Sequence, residues 1–405
     1  MQILVLDTIH GGREIGGRYA SQGHYVDVVD VYKRSTPALA EMATTRTYDL
    51  IIAPVHLDPA HPLLANRHAP IISHHEAVCR LLRDALPVPM IEITGTRGKT
   101  TTAHALAHLL PGKGVLHTST GTYSYPAKDL LGTRSITPAS VLSAVDAASK
   151  MHGWLVAELS LGVTGAGDLA IITSSEDYPF AAGKKQALPE KIASARKAKH
   201  LLVADGIVCD HGNVVQVEDV ARCKGMNCTV EWGGKRIVLT NPLFSLPPYR
   251  LPLMLAAAAA MILKMDPTPL NHFAALPGRM SVSHEKELII VDNANSGTNA
   301  ATTLCAARYA RYLAGTGDLT LVIGQVEGDG KVCEGFSFAQ ILEAIGSIRP
   351  RKLIWVGRLP DLDSDLIRSG QMNIDAHCTT FNEGRRAAVE KTERGSIVLA
   401  VKTWR

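Results

Sequence analysis

The chain has 405 residues, which at roughly 100–200 residues per domain sets a prior of two to four domains rather than one core. It is 46% hydrophobic and 20% charged, with 34 glycines and 21 prolines, so it can bury a large core and has no long stretch of disordered composition. Aromatic residues supply only 5%, a balance that suits layered α/β proteins and argues against all-β sandwiches and base-stacking RNA platforms. The formal charge of +4, from 42 basic and 38 acidic residues, is too balanced to imply nucleic acid, and leaves room for a modestly basic groove facing an acidic small molecule.

Short β-branched or leucine-rich runs alternate with helix-like stretches, the pattern of parallel sheets with crossover helices. The first set is Ile3 to Asp7, Tyr25 to Val31 and Tyr48 to Pro54, and it ends at the two closely spaced prolines of Leu86-Pro-Val-Pro89, read as a linker. The second opens with Met90-Ile-Glu-Ile-Thr94 and continues through Trp154 to Glu158, Leu169 to Thr173 and Leu201 to Ala204, closing with an alanine-rich helix and Pro277-Gly278. The third comprises Leu288 to Asp292, Leu319 to Gly324, Leu353 to Gly357 and Ile397 to Val401. The longest apolar run, Leu251 to Leu263, falls short of the roughly 20 residues a spanning helix needs, so no membrane partner is expected. The chain starts directly on a strand-like segment, and its seven cysteines, Cys79, Cys209, Cys223, Cys228, Cys305, Cys333 and Cys378, lack any paired C-x-x-C spacing. A cytoplasmic protein with free thiols is the expectation.

The sharpest signal is Thr94-Gly-Thr-Arg-Gly-Lys-Thr-Thr101, between an apolar strand and a helix read from His104 onward. Glycines let the backbone turn tightly so that successive N–H groups face phosphate oxygens, and the helix N-terminus adds a favourable field. Lys99 would reach the β and γ phosphates, and Thr100 would offer its hydroxyl to Mg²⁺. A strict Walker A loop has a glycine where this chain has Ile93, so the match is to a shorter variant. A plain strand-to-helix turn with an exposed lysine is the structural alternative, and ATP or GTP binding is the inference.

Gly95-Thr-Arg-Gly-Lys-Thr-Thr101 resembles the G-T-x-G-K-T-T loop of the Mur ligases, ATP-dependent ligases that include the muramyl peptide, folylpolyglutamate and cyanophycin synthetases. Glu158-Leu-Ser160 resembles the family's E-x-S segment, Asp177 falls at its D-H-L-D turn, and Gly183 keeps the spacing beyond it. Pro277-Gly-Arg-Met280 is similar to G-R-M-E, Val291-Asp-Asn-Ala-Asn295 to D-D-Y-A-H-N, and Leu399-Ala-Val-Lys-Thr403 to the terminal V-L-V-K-G-S strand. The resemblance covers essentially the whole chain. It implies a three-domain α/β architecture: a Rossmann-like substrate-binding domain (1–88), a central P-loop ATP-binding domain (89–277) and a small α/β C-terminal domain closing on the nucleotide (278–405). It also implies ATP and Mg²⁺ as cofactors, with Lys99 and Glu158 catalytic and Thr100 and Glu158 on the metal. Gly95, Thr96, Arg97, Gly98, Lys99, Thr100, Thr101, Arg279 and Asp292 would surround the nucleotide.

Departures from the pattern are specific. Tyr178 stands where the family has a metal-binding histidine, the adenine-contacting H-N-x-x-N appears as Tyr249-Arg-Leu-Pro-Leu253, and the family's carbamylated lysine has only Lys191, one residue out of register, or Lys197 as counterparts. The first segment, Leu4-Val-Leu-Asp-Thr-Ile-His-Gly-Gly12 with Glu14-Ile-Gly-Gly17 and Tyr25-Val-Asp-Val-Val-Asp30, is similar to a divergent archaeal branch of the family that acts on a nickel tetrapyrrole in methane-forming archaea. That resemblance implies an ATP-dependent cyclisation turning a propionate side chain of an acidic, nickel-carrying tetrapyrrole into a carbocyclic ring. His10, Gly11 and Gly12 are then candidate substrate contacts.

A carbon nucleophile needs a general base, and His10, His74, His75 and Glu14 qualify by residue type alone. His104 and His108 have a spacing that can bind a metal but more often marks partly buried polar surface. Gly11-Gly12 and Gly16-Gly17 read either as close backbone approach to a substrate or as a tight turn. Lys184, Lys185, Lys191, Arg196, Lys197 and Lys199 read either as a solvated helix face or as a groove for a polycarboxylate. Cys223 and Cys228 read as structural. Two other functions compete: amide formation on a muramyl, folylpolyglutamate or similar substrate, and a non-enzymatic nucleotide-gated tetrapyrrole carrier.

Overall fold

The computed structural model describes residues 1–32, 37–64, 68–82, 86–210, 212–326, 336–359 and 373–403; Cys333 lies outside them. The chain divides into two compact units, Met1–Phe273 and Ala274–Arg405.

The first unit opens with β1 (Gln2–Leu6), α1 (Gly12–Ser21), β2 (Tyr25–Val29), α2 (Pro37–Thr45), β3 (Leu50–Ala53), β4 (Ile71–Ser73) and α3 (His74–Leu81). The strands form a parallel sheet in the order β2-β1-β3-β4. A larger set follows: β5 (Met90–Thr94), α4 (Lys99–Leu109), β6 (Gly114–Thr118), β7 (Gly121–Tyr125), β8 (Leu130–Gly132), α5 (Pro138–Lys150), β9 (Trp154–Glu158), β10 (Leu169–Ile172), β11 (Pro179–Phe180), β12 (Lys185–Gln186), α6 (Ala187–Ala195), β13 (His200–Val203) and β14 (Val214–Gln216). Apart from the β11–β12 pair, its strands order as β14-β13-β10-β5-β9-β6-β7-β8, parallel from β14 to β6 and antiparallel beyond. After α7 (Val217–Val220), an antiparallel ribbon of β15 (Ala221–Lys224), β16 (Asn227–Trp232) and β17 (Lys235–Thr240) precedes α8 (Pro247–Ile262).

β5 and β9 are buried at every position because helices cover both faces of a parallel sheet. Continuous apolar runs were therefore the right signal, while the half-exposed β15–β17 ribbon lacked one. The first sheet does not form a core of its own on both faces. Ile3, Val5, Ile15, Ile72 and Val78 belong to one continuous apolar cluster with Met90, Val115, Val141, Leu142, Leu155 and Leu159. The helices α1, α3 and α5 lie between the two sheets and place the carboxyl ends of β1 and β9 in one neighbourhood.

Glu92 anchors the centre. It is fully buried on β5 and accepts from Thr164 N at 2.8 Å and Thr164 Oγ1 at 2.6 Å on one oxygen, and from Gly165 N at 2.9 Å and Gly167 N at 3.3 Å on the other. Burial pushes its carboxyl up against these lowering bonds.

The second unit holds β18 (Ser281–Glu285), β19 (Leu288–Asp292), α9 (Ala300–Ala314), β20 (Leu319–Gln325), α10 (Phe338–Ile348), β21 (Lys352–Val356), β22 (Ala376–Cys378), α11 (Phe381–Lys391) and β23 (Gly395–Lys402). Its sheet order is β18-β19-β23-β20-β21-β22, with only β18 antiparallel to its neighbour. No helix among the described residues is long and apolar enough to cross a membrane.

Candidate active site

The phosphate loop joins β5 to α4, which begins at Lys99 rather than His104. Gly98 caps the helix at φ +83°. Gly95 sits at φ +143°, and a Cβ there would lie 2.2 Å from Thr173 Oγ1, so only glycine lets the loop pack against the end of β10. Ser174 closes the turn, its hydroxyl accepting from Thr96 N at 2.9 Å. Thr173 Oγ1 donates to the Arg97 carbonyl.

Glu158, at the end of β9 and 2% exposed, faces this loop. Thr100 Oγ1 donates to its Oε2 at 2.9 Å, Ser119 N at the end of β6 donates to the same oxygen at 3.3 Å, and Lys99 Nζ lies 3.8 Å from Oε1. Lys99 also donates to the Gly95 carbonyl at 3.0 Å, and the Ser119 hydroxyl lies 3.5 Å from that of Thr100. A buried carboxylate must be paired or hold a metal. The Thr100 hydroxyl, the Ser119 hydroxyl and the Glu158 carboxylate are hard oxygen donors at the spacing of one small shell, which fits Mg²⁺.

Lys191 is fully buried on α6, and its side chain reaches the same loop. Its Nζ donates to Thr96 Oγ1 at 3.1 Å and sits 5.0 Å above the Tyr178 ring. Burial and the nearby Lys99 charge push it down to about 8, against the opposing pull of Asp177 and Glu176. Asp177 is engaged in structure: its Oδ1 accepts from Tyr178 N at 2.9 Å and Leu188 N at 2.8 Å, holding the first turn of α6. Lys197 instead pairs with Glu76 at 3.0 Å. Of the two lysines singled out in the sequence, only Lys191 reaches the phosphate loop.

The loop after β1 makes a second polar cluster. Asp7, fully buried at φ +88°, accepts from Ile9 N at 2.6 Å and His10 N at 3.1 Å through Oδ1, and pairs with His10 Nδ1 at 2.7 Å through Oδ2. Although burial opposes it, the His10 side chain and these amides hold Asp7 below the usual carboxylate range. The same hydrogen bond raises His10. His56, after β3, packs edge-on against His10 with ring centroids 4.7 Å apart and stacks on Tyr32 at 5.7 Å. Gly11, at φ +95°, lies where a Cβ would meet Ala139 Cβ at 2.2 Å, so the loop rests on the start of α5. Ile136, just before α5, accepts from Ser160 N at 2.9 Å and Ser160 Oγ at 3.1 Å. This contact chain links His10 to the strand end that carries Glu158.

His74 and His75 are buried, donate through Nε2 to the Leu6 and Ser160 carbonyls at 3.0 Å each, and are pushed down to about 4 by burial. They are neutral structural groups. His10 and Glu14 are the partly exposed members of the four base candidates; Glu14 lies 3.5 Å from Arg134, and burial pushes its carboxyl up against that charge. Gly16 packs against Val28 and Val26, whereas a Cβ on Gly17 would meet nothing, so this pair is ordinary helix packing. His104 and His108 do not make a metal pair. His108 bonds the Pro269 carbonyl at 3.0 Å, and His104 tilts against Tyr123. The basic run is mostly ion-paired: Lys184 with Asp58 at 2.7 Å, Lys185 with Glu190 at 3.3 Å, Lys197 with Glu76 and Lys199 with Asp168 at 2.6 Å. That pairing favours the solvated helix face for these four lysines. Cys223 and Cys228 face each other across β15 and β16 as free thiols.

In the second unit, Ser281 and Asp292 are register partners, and Asn295 Nδ2 donates to the Gly278 carbonyl at 2.7 Å. The Pro277–Met280 and Val291–Asn295 motifs therefore meet, bringing Arg279 and Asp292 to one end of the β18–β19 pair. Asp7, His56, Ser119 and Ser174 escaped the sequence reading as site residues. Each stands just past the end of a buried strand, and that position was the available signal.

Among solved structures, a bifunctional folylpolyglutamate synthase/dihydrofolate synthase with Mn, AMPPNP and L-glutamate bound aligns with a TM-score of 0.58 at 14% identity, over 82% of this chain and 90% of that one. A UDP-N-acetylmuramoylalanyl-D-glutamyl-2,6-diaminopimelate–D-alanyl-D-alanyl ligase from Acinetobacter baumannii aligns with a TM-score of 0.56 at 14% identity, over 90% and 89%. The fold is that of the Mur ligases, and the protein is an ATP-dependent ligase of that class. Residues 282–403 match the family model described as coenzyme F430 synthetase CfbE, C-terminal domain. The coenzyme F(430) synthetase of Methanosarcina acetivorans is 31% identical over 428 aligned positions, covering 88% of this chain and 90% of the relative. The chain belongs to the coenzyme F(430) synthetase family.

Proposed function

We propose that this enzyme activates a propionate carboxylate of a nickel tetrapyrrole, seco-F(430) acid, with ATP and closes a carbocyclic ring to give coenzyme F(430), ADP and phosphate. The observation that supports it most is the convergence of Lys99, Thr100, Ser119 and Glu158 on the phosphate loop. In this reading a carboxylate oxygen attacks the γ-phosphorus and ADP leaves. A ring carbon, having lost its proton, then attacks the acyl carbon and phosphate leaves, so the product is the substrate minus one water.

The loop amides of Gly95 to Thr101 orient the phosphates, and Lys99 swings from the Gly95 carbonyl to the transferring group. Thr100 and Glu158, with Ser119 beside them, would hold Mg²⁺, which when bound neutralises charge on the phosphates. Lys191 adds a second positive charge through Thr96, on the side where Tyr178 stands. His10, Gly11 and Gly12 face the tetrapyrrole. The nucleotide roles given to Arg279 and Asp292, and the division at residues 88 and 277, rest on the motifs in which they stand.

The test is to incubate the purified chain with ATP, Mg²⁺ and the nickel seco precursor, following ADP, the visible spectrum and the product mass. One ADP per new chromophore, with loss of the mass of water, is expected. ADP release only with an amino acid acceptor would overturn the reading in favour of amide formation.

A further inference from the structure

The first sheet has the strand order β2-β1-β3-β4, so its connections reverse direction between β1 and β3. In open parallel sheets the ligand crevice lies at the carboxyl ends of the strands at such a switch point. Asp7 and His10 follow β1, and His56 follows β3, one from each flanking loop. Their ligand atoms lie within 4.8 Å of one another, the group of histidine, cysteine and acidic residues among those described whose spacing suits a metal ion.

Two further observations point to a metal rather than to a buried polar network. His10 directs Nδ1 to Asp7 at 2.7 Å on a side chain 42% exposed, and in the neutral ring a proton on Nδ1 leaves the lone pair on Nε2; this is the carboxylate–histidine arrangement that supports a metal-ligating imidazole. The Nε2 of His56 is buried and has no hydrogen-bond partner, so a nitrogen donor stands ready beside His10. A buried polar atom without a partner costs about 1–3 kcal/mol, a cost that a bound cation removes.

We propose that Asp7, His10 and His56 form a nickel-recognition site, with His10 Nε2 the ligand to the nickel of the tetrapyrrole, Asp7 its orienting carboxylate and His56 the second imidazole of the site. This rests on the substrate reading above. Imidazole nitrogen suits nickel(II), and a macrocycle that fills the equatorial plane with its own nitrogens leaves the axial position for a protein donor. Because the His10 loop rests on α5 and, through Ile136 and Ser160, on the end of β9, nickel held there would keep one edge of the macrocycle toward Glu158 and the phosphate loop. The chain would then grip its flat substrate through the metal, which fits a sequence with few aromatic residues for stacking.

The experiment measures binding without ATP, using the full chain, the nickel seco precursor and its metal-free form. Wild type should bind the nickel form at least about tenfold more tightly, with X-ray absorption at the nickel edge showing an added imidazole nitrogen. His10→Ala should equalise the two affinities, lose the added nitrogen and recover it with exogenous imidazole, while ADP affinity stays at the wild-type value to prove folding. Asp7→Asn should weaken nickel-form binding less than His10→Ala does. Equal wild-type affinities for the two forms, or an unchanged nickel edge on binding, would overturn the proposal. So would tight binding of free Ni²⁺ that leaves His10→Ala normal toward the macrocycle, since the site would then hold a resident ion. Turnover of the nickel precursor by wild type is recorded alongside; its absence would count against the substrate reading rather than against this site.

Discussion

Lys191 makes a quantitative test of the phosphate side of the site. It is fully buried, bonded to Thr96 in the loop, and pushed down to about 8 by burial and Lys99. If nucleotide phosphates dock on this loop, their negative charge stabilises the ammonium and returns Lys191 toward the ordinary lysine value of about 10.5. Binding then takes up about 0.9 proton at pH 9 and about 0.2 at pH 7.5, and Kd for ADP rises about eightfold between those values. Calorimetry of ADP binding in buffers of different ionisation enthalpy reads the uptake directly. Lys191→Met keeps the length and the apolar packing and should abolish both the uptake and the pH dependence, leaving the weaker affinity at all pH values. No uptake at pH 9 in wild type, in buffers with and without bicarbonate, would refute the reasoning: Lys191 would then be carbamylated or lie away from the phosphates. The same group sets a stability slope. Its folded pKa is depressed, so between about pH 8 and 10.5 the unfolded chain holds a proton that the folded chain lacks, and stability rises with pH across that window. Lys191→Met should flatten it in denaturant titrations at fixed salt.

Three other substitutions follow from the geometry. Glu158→Gln preserves volume but removes the charge that Thr100 and Ser119 face; kcat should fall at least about a hundredfold and the Mg²⁺ concentration at half-maximal activity should rise, with the melting temperature nearly unchanged. Gly95→Ala places a methyl 2.2 Å from Thr173 Oγ1 on a backbone at φ +143°, costing at least about 1–3 kcal/mol, and equilibrium dialysis should find ADP binding lost before the fold is. In Glu92→Gln the amide nitrogen must face either the Gly165 and Gly167 amides or the Thr164 donors. The second orientation costs less, because the Thr164 hydroxyl can turn and accept from the new amide, leaving Thr164 N as the unsatisfied donor; a loss of about 1–3 kcal/mol is expected, visible as a lower melting temperature, and an unchanged melting curve would show that the loop after β9 is not held by this carboxylate.

Local chemistry was readable because it was written in consecutive residues. Met90 to Thr94 is apolar but for Glu92 and Thr94, rich in β-branched residues and buried on both faces, so its run announced a central parallel strand, and Gly95 to Thr101 follows it with the residues a phosphate turn requires. The alternation of such runs with helical spacers defined the α/β class, and the order of motifs pointed to the Mur ligases. The β15–β17 ribbon was not legible because its strands mix exposed charged positions with buried ones, so no continuous apolar run marks them.

The partnerships were decided by tertiary structure. Sequence distance separates Thr100 from Glu158 by 58 residues and Lys191 from Thr96 by 95, and nothing local says that they meet. The order in which strands enter the sheet brings them together, with β5 between β9 and β10. The same holds for burial: six basic residues from Lys184 to Lys199 look alike in sequence, yet packing of α6 buries Lys191 against Tyr178 and leaves Lys184, Lys185, Lys197 and Lys199 to carboxylates. His56 gained its place beside His10 only because β1 and β3 are adjacent at the switch point of the first sheet. A residue's chemical type belongs to the sequence; its partner, its exposure and therefore its reactivity depend on which distant strand ends the fold sets side by side.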